Sequence, residues 1–240
     1  YANERGIEII GDTPIFIAYA SAEVWGHQRL FQLGDDGRPT VVAGVPPDFF
    51  SATGQRWGNP LYRWSVHAKD GYAWWVERVR RTFELVDIVR IDHFRGFAAC
   101  WEIAADEPTA VRGRWVPAPG EALFKAITKA LGPMPIIAED LGVITPDVDA
   151  LRHEFDFPGM RILQFAWGED ESAERRFLPH RYEHDTVVYT GSHDNDTTLG
   201  WWASAAESTR HHLREYLATD GRAVHWDLIR AACASVADSA

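Results

Sequence analysis

The chain has 240 residues, 46% hydrophobic and 12% aromatic, which is enough apolar material for one sizeable core. Its 24 basic and 35 acidic residues give a net charge of −11 without a basic patch, so nucleic acid is not an expected partner. No apolar run reaches membrane-spanning length and there is no signal-peptide or lipidation pattern, so no membrane partner and a cytoplasmic location are expected.

In chain order, residues 7–17 predict a strand whose apolar run breaks at Asp12. Residues 21–33 read as helical or irregular. The turn Leu33-Gly-Asp-Asp-Gly37 predicts a hairpin between Phe31-Gln-Leu33 and Thr40-Val-Val42. Residues 44–62 are rich in Gly, Pro and aromatics and show no periodicity, so they read as a long loop. Loops of that length in a compact domain tend to be functional, and Asp48, Gln55, Trp57 and Asn59 supply hydrogen bonds and a stacking face. A structural loop packed by its own aromatics is the alternative. Residues 71–85 carry Trp74, Val76, Val79 and Phe83 near helical spacing, with Glu77, Arg78, Arg80 and Arg81 solvated.

Residues 86–96 then open as a buried strand, with Val86, Ile88, Val89 and Ile91, and close on Arg90, Asp92, His93 and Arg95. Trp101-Glu-Ile and Gly113-Arg-Trp-Val116 predict a second inserted hairpin. Residues 121–131 predict a helix stopped at Gly132-Pro133. Residues 135–142 predict a strand ending in Glu139 and Asp140. Thr145-Pro146 marks a helix start, with Thr145 at the cap and Pro146 at the first position. Residues 160–166 and 186–196 predict two more strands, the second ending in His193 and Asp194, followed by a helix over about 208–217. Residues 228–240 read as a small-residue helix without a stop signal. Both ends read as cut, so the expectation is one incomplete domain with insertions at about residues 26–66 and 100–119.

Strands alternating with helices predict a parallel sheet with helical crossovers. In a (β/α)8 barrel the strand C-termini converge on one face, and carboxylates placed there by several strands make a candidate catalytic site. Arg90 and Asp92 share one face of their strand. A guanidinium beside a carboxylate lowers its pKa, as a carboxylate nucleophile requires, although a purely structural pair has the same pattern. Glu139 follows Ile136, Ile137 and Ala138, so partial burial would keep it protonated. The 11 tryptophans are either a Trp-rich core or flat faces for sugar rings. Cys100 and Cys233 have no metal spacing and read as reduced thiols.

Arg90-Ile-Asp92-His-Phe-Arg-Gly96, Ala138-Glu139-Asp-Leu-Gly142 and Ser192-His193-Asp194-Asn195 resemble the strand-end motifs of the α-amylase superfamily. Gly44-Val-Pro-Pro-Asp48, Gly54-Gln-Arg-Trp-Gly-Asn-Pro60 and Tyr189-Thr-Gly-Ser-His-Asp-Asn-Asp-Thr-Thr-Leu-Gly200 are more specific and resemble the 4-α-glucanotransferases, or amylomaltases. The resemblance runs over nearly the whole chain. It implies strands three to seven of a (β/α)8 barrel with inserted loops and hairpins. It also implies a cofactor-free, metal-free retaining transglycosylase acting on α-1,4-glucans. By the same resemblance Asp92 matches the nucleophile, Glu139 the general acid/base and Asp194 the third carboxylate. Arg90 orients the nucleophile and His193 meets a sugar hydroxyl. Asp12, Asp48, Gln55, Trp57 and Asn59 are the further expected substrate contacts. Phe49 and Phe50 depart from the family pattern, with tyrosine expected at Phe49.

Three other readings stay open on the sequence. An α-glucan hydrolase would share the three carboxylates and differ in the acceptor. A non-catalytic glucan-binding fragment would fit an incomplete barrel. His180-Arg-Tyr-Glu-His184 matches an inverted zinc motif, but that motif needs a helix, and Pro179 with a strand near Thr186 predicts a loop.

Overall fold

A computed structural model describes residues 1–48, 51–168 and 174–240. The departures at Phe49 and Phe50 lie outside the described residues. The chain divides into two compact units, Tyr1–Phe155 and Asp156–Ala240.

The first unit is built on three parallel strands, β1 (Ile10–Pro14), β4 (Ile88–Asp92) and β7 (Ile136–Ala138), in the order β1-β4-β7. β4 is central and β7 is wholly buried, which explains their near-continuous apolar sequence. The crossovers are helical. α1 (Ala22–Gly26), α2 (Trp64–Lys69) and α3 (Ala73–Phe83) lie between β1 and β4. α3 buries Trp75, and Arg78 on it donates to the Ile15 carbonyl and to the Tyr62 hydroxyl. α4 (Gly120–Leu131) buries Leu123, Phe124 and Ile127 and leads into β7. It stops at Gly132, whose φ of 84° suits a residue without a Cβ. α5 (Pro146–Glu154) has Pro146 in its first turn, as expected, but the Thr145 side chain accepts no cap bond.

Two excursions from this layer meet in one antiparallel sheet, β3-β2-β5-β6, formed by β2 (Val41–Val45), β3 (Gln55–Pro60), β5 (Ala99–Ala104) and β6 (Gly113–Pro117). The hairpin expected at Trp101 and Trp115 is present, with those two residues opposite each other. Its pairing to β2 was not legible in the sequence. The expected hairpin between Phe31-Gln-Leu33 and Thr40-Val-Val42 reduces to a turn and one bridge, Leu33↔Pro39. The partner of β2 is instead β3, inside the stretch read as a structureless loop. Periodicity missed β3 because its Gly and Pro residues conceal the alternation. A glycine on the partner strand allows the pairing: a Cβ on Gly44 of β2 would stand 2.2 Å from the Gln55 carbonyl.

The second unit pairs β8 (Gly159–Ile162) with β9 (Thr186–Tyr189) in parallel. The strand expected over 160–166 turns into a 3-10 segment at Leu163. α6 (Thr198–Ser204), α7 (Glu207–Leu217) and α8 (Val224–Cys233) follow. The terminal helix expected over 228–240 ends at Cys233, and Ser239 bridges Val187, so the last residues are tied to a strand edge.

Candidate active site

The chemistry gathers at the C-terminal ends of β4 and β7. Arg90 stands opposite Asp12 in the β1–β4 register and two residues before Asp92 on its own strand. Its guanidinium divides between them: Nη1 donates to Asp12 Oδ2 at 2.6 Å and Nη2 to Asp92 Oδ1 at 3.2 Å. The Arg90 side chain is 8% exposed, while those of Asp12 and Asp92 are 40% and 43% exposed. A buried cation therefore anchors two carboxylates that reach solvent.

Ile91 pairs with Ala138, so Asp92 and Glu139 leave neighbouring strands at the same level. Glu139 N donates to the Ile91 carbonyl at 3.0 Å, which extends the ladder by one residue. The Glu139 carboxylate accepts from His93 N at 2.8 Å and from Leu141 N at 2.7 Å. Burial pushes its pKa up and the Asp92 charge adds to this, against the two N–H bonds and Arg90; the net direction is upward.

The His93 N–H reaches Glu139 because His93 adopts a left-handed backbone, φ 55°. That conformation is costly for a residue with a Cβ and persists only when its surroundings hold it. Phe94 and Phe97, in the 3-10 turn that follows, bury themselves against Phe124 on α4 and Trp75 on α3 and so fix the turn. The His93 ring meets Trp57 edge-on at 4.7 Å and lies 6.2 Å from Phe16. Burial, with a contribution from Arg95, pushes its pKa down to about 3, so the ring is neutral near pH 7.

A cleft of about 150 Å³ opens on this point. Glu139 and His93 line it together with Asp48, Gln55, Trp57 and Trp115. The Trp57 Nε1 donates to Gln55 Oε1 at 3.0 Å, which orients the exposed indole. The Asp48 carboxylate accepts from Ser51 N at 2.8 Å. Asn59 lies on β3, half-buried, and is not among the residues lining the cleft.

The fold thus brings together Asp12, Arg90, Asp92 and Glu139, and sets Asp48, Gln55 and Trp57 around the same cleft as Glu139. His93, Arg95 and Trp115 were not singled out as site residues from the sequence. The first two sit in the same charged run as Asp92, which was the available signal. His193 and Asp194 lie in the second unit, on the turn after β9. There His193 Nε2 is 3.4 Å from Asp194 Oδ1, and Asn195 Oδ1 accepts from Ser192 N at 2.9 Å. His180 and His184 share no helix. His180 lies on the 3-10 turn Pro179–Arg181 beside the Tyr216 hydroxyl at 2.7 Å, and His184 lies beyond it, 3.7 Å from Asp238.

A family model described as 4-alpha-glucanotransferase matches residues 1–240. A 4-alpha-glucanotransferase of Thermus thermophilus is 55% identical over 98% of this chain and 48% of its own length. The chloroplastic/amyloplastic 4-alpha-glucanotransferase of Solanum tuberosum is 50% identical over 99% of this chain and 41% of its own. An amylomaltase from Streptococcus agalactiae, solved in complex with acarbose, superposes with a TM-score of 0.93 at 39% identity, covering 99% of this chain and 48% of that one. The chain spans about half the length of the curated relatives it matches.

Proposed function

This chain belongs to the 4-alpha-glucanotransferase family, and on that premise we propose that the whole protein moves α-1,4-glucan segments from a donor to a glucan or glucose acceptor with retention of configuration. Retention needs one ionised and one protonated carboxyl group on opposite sides of the same bond. Asp92 is the nucleophile, held as an anion by Arg90. Glu139 is the acid that protonates the leaving oxygen and then the base that activates the acceptor. Asp194 is the third carboxylate and, with His193, binds sugar hydroxyls. Asp12 shares Arg90 with Asp92 and contacts substrate from there. Asp48, Gln55 and Trp57 form the sugar-binding wall, and Asn59 contacts sugar from its place further along β3. No step in this scheme needs a metal or cofactor.

The observation that carries the reading is the contrast between two neighbouring strand ends. Asp92 has a guanidinium at 3.2 Å, and Glu139 is buried with its pKa raised. Three parallel strands in the first unit, β1, β4 and β7, and a parallel pair in the second, β8 and β9, support assigning the chain to strands three to seven of one (β/α)8 barrel domain. The proposed compartment is the cytoplasm; no described helix is long and apolar enough to cross a membrane.

Incubation of the whole protein with maltotriose tests the activity. A ladder of longer maltooligosaccharides with released glucose is the expected result. Glucose and maltose without longer products would identify a hydrolase, and unchanged maltotriose would leave only a binding protein.

A further inference from the structure

Arg95 lies three residues after Asp92 and is 6% exposed. Its Nη1 donates to the Val143 carbonyl at 2.6 Å and its Nη2 to Thr145 Oγ1 at 3.4 Å. Its guanidinium carbon stands 3.8 Å from the centroid of the Trp115 ring. Three separate segments therefore meet on one side chain: the turn after the nucleophile, the segment after Glu139, and the edge strand of the inserted sheet. Arg95, Trp115, Val143 and Ile144 all line the cleft that holds Glu139.

Two neutral acceptors, one aromatic face and the charge of the Asp147 carboxylate together offset the cost of burying this guanidinium. Its Nε makes no hydrogen bond among the described residues. A long apolar side chain would fill the same space, so what needs accounting for is the join between Val143, Thr145 and Trp115. A planar fork that reaches two directions while stacking on a ring does account for it, and lysine lacks that fork. Trp115 itself is 37% exposed and touches Trp101 edge-on at 5.3 Å, so β5 leaves its ring facing the cleft and Arg95 sets its tilt.

We propose that Arg95 is a positioning residue for glucan binding, locking Trp115 and the segment through Val143 and Thr145 into one wall of the cleft beside Glu139. The inference rests on the glucanotransferase reading and adds Trp115 as a sugar-facing platform. The role assigned to Arg95 acts through these partners, so its loss acts on binding more than on turnover.

The test uses the whole protein with acarbose as the binding probe and maltotriose as substrate, in Arg95→Met, Arg95→Lys, Trp115→Leu and the Arg95→Met/Trp115→Leu pair. Arg95→Met is expected to weaken acarbose and raise KM by about tenfold, with kcat within about threefold, from the loss of two hydrogen bonds and a cation–π contact. Arg95→Lys, which keeps the charge over Trp115 but not the fork, is expected to recover part of that loss. The double variant should bind no worse than the weaker single one, because both changes remove the same wall. Additive losses in the pair, or a fall in kcat at unchanged KM, would overturn the proposal. If Arg95→Met does not fold, the lysine and Trp115 variants decide: acarbose affinity unchanged in both is a refutation. Wild-type protein that binds no acarbose would instead overturn the glucanotransferase reading, and the present inference with it.

Discussion

The parallel strand ends and the inserted antiparallel sheet both supply the cleft, and they are built differently. At the ends of β4 and β7 the strands are largely buried, β4 is held in register by β1 on one side and β7 on the other, and each functional group has a named partner: Arg90 for Asp92, and the N–H groups of His93 and Leu141 for Glu139. In the inserted sheet β3 and β6 are mostly exposed edges, and the side chains offered to the cleft are held by single contacts at the surface: Gln55 and His93 for Trp57, and Trp101 and Arg95 for Trp115. The first arrangement suits groups that must stay within a fraction of an ångström during bond breaking. The second suits recognition, where flat apolar faces and adaptable hydrogen bonds meet a chain of sugar rings. The difference implies that strand-end changes act on turnover and sheet changes on binding.

The largest expected effect that would break this division is at Asp92. Asp92→Asn removes the proposed nucleophile while keeping a side chain that Arg90 can hold, and transfer should fall by on the order of 10⁴-fold. Acarbose affinity measured by titration should stay close to wild type. Turnover retained in this variant would place the nucleophile elsewhere. Glu139→Gln follows, with a loss of about 10²–10⁴-fold in kcat, as general acid–base catalysis contributes. A donor with a good leaving group, such as an aryl maltoside, should recover its first step, because that step no longer needs the proton. Equal losses with both donors would remove Glu139 from the acid role.

The third expectation concerns acid. His93 has its pKa depressed to about 3, and burial pushes that of His67 down as well. An unfolded histidine titrates near 6.5. Between about pH 6.5 and pH 3 the unfolded chain therefore binds protons that folded His93 does not. Stability is unaffected by His93 above pH 7 and falls as pH drops through that window, by a few kcal/mol at most. Glu139 acts in the opposite sense, because its raised pKa lets the folded state take up a proton first. Thermal melts at pH 7 and pH 4.5 measure the sum. His93→Asn, which tolerates the left-handed backbone, should flatten the slope. An unchanged slope would show that His93 is not the acid-sensitive group.

The smallest effect sharpens the comparison from the sheet side. Trp57→Ala should raise KM by about tenfold, with kcat nearly unchanged, which corresponds to about 1.4 kcal/mol of lost stacking. The loss should grow from maltotriose to maltoheptaose if the indole meets sugars beyond the cleaved bond. Identical kinetics at all lengths would reduce Trp57 to a packing partner of His93.

The sequence by itself determined the strand ends. β-branched runs that close on charge are local signals, and they located Arg90, Asp92 and Glu139 and the parallel order that joins them, because a strand's alternation fixes which side chains share a face. Only the tertiary structure decided the rest. β3 was hidden because its glycine and proline erase the period on which strand prediction depends, and its pairing is licensed by the close approach that Gly44 on β2 permits. Arg90 was read as the partner of Asp92, two residues away. Its shorter bond is to Asp12, which only the β1–β4 register brings opposite. The left-handed turn at His93 and the reach of Arg95 to Trp115 were equally out of view. Each depends on which segments fold against one another, a choice set by long-range packing that no local pattern records.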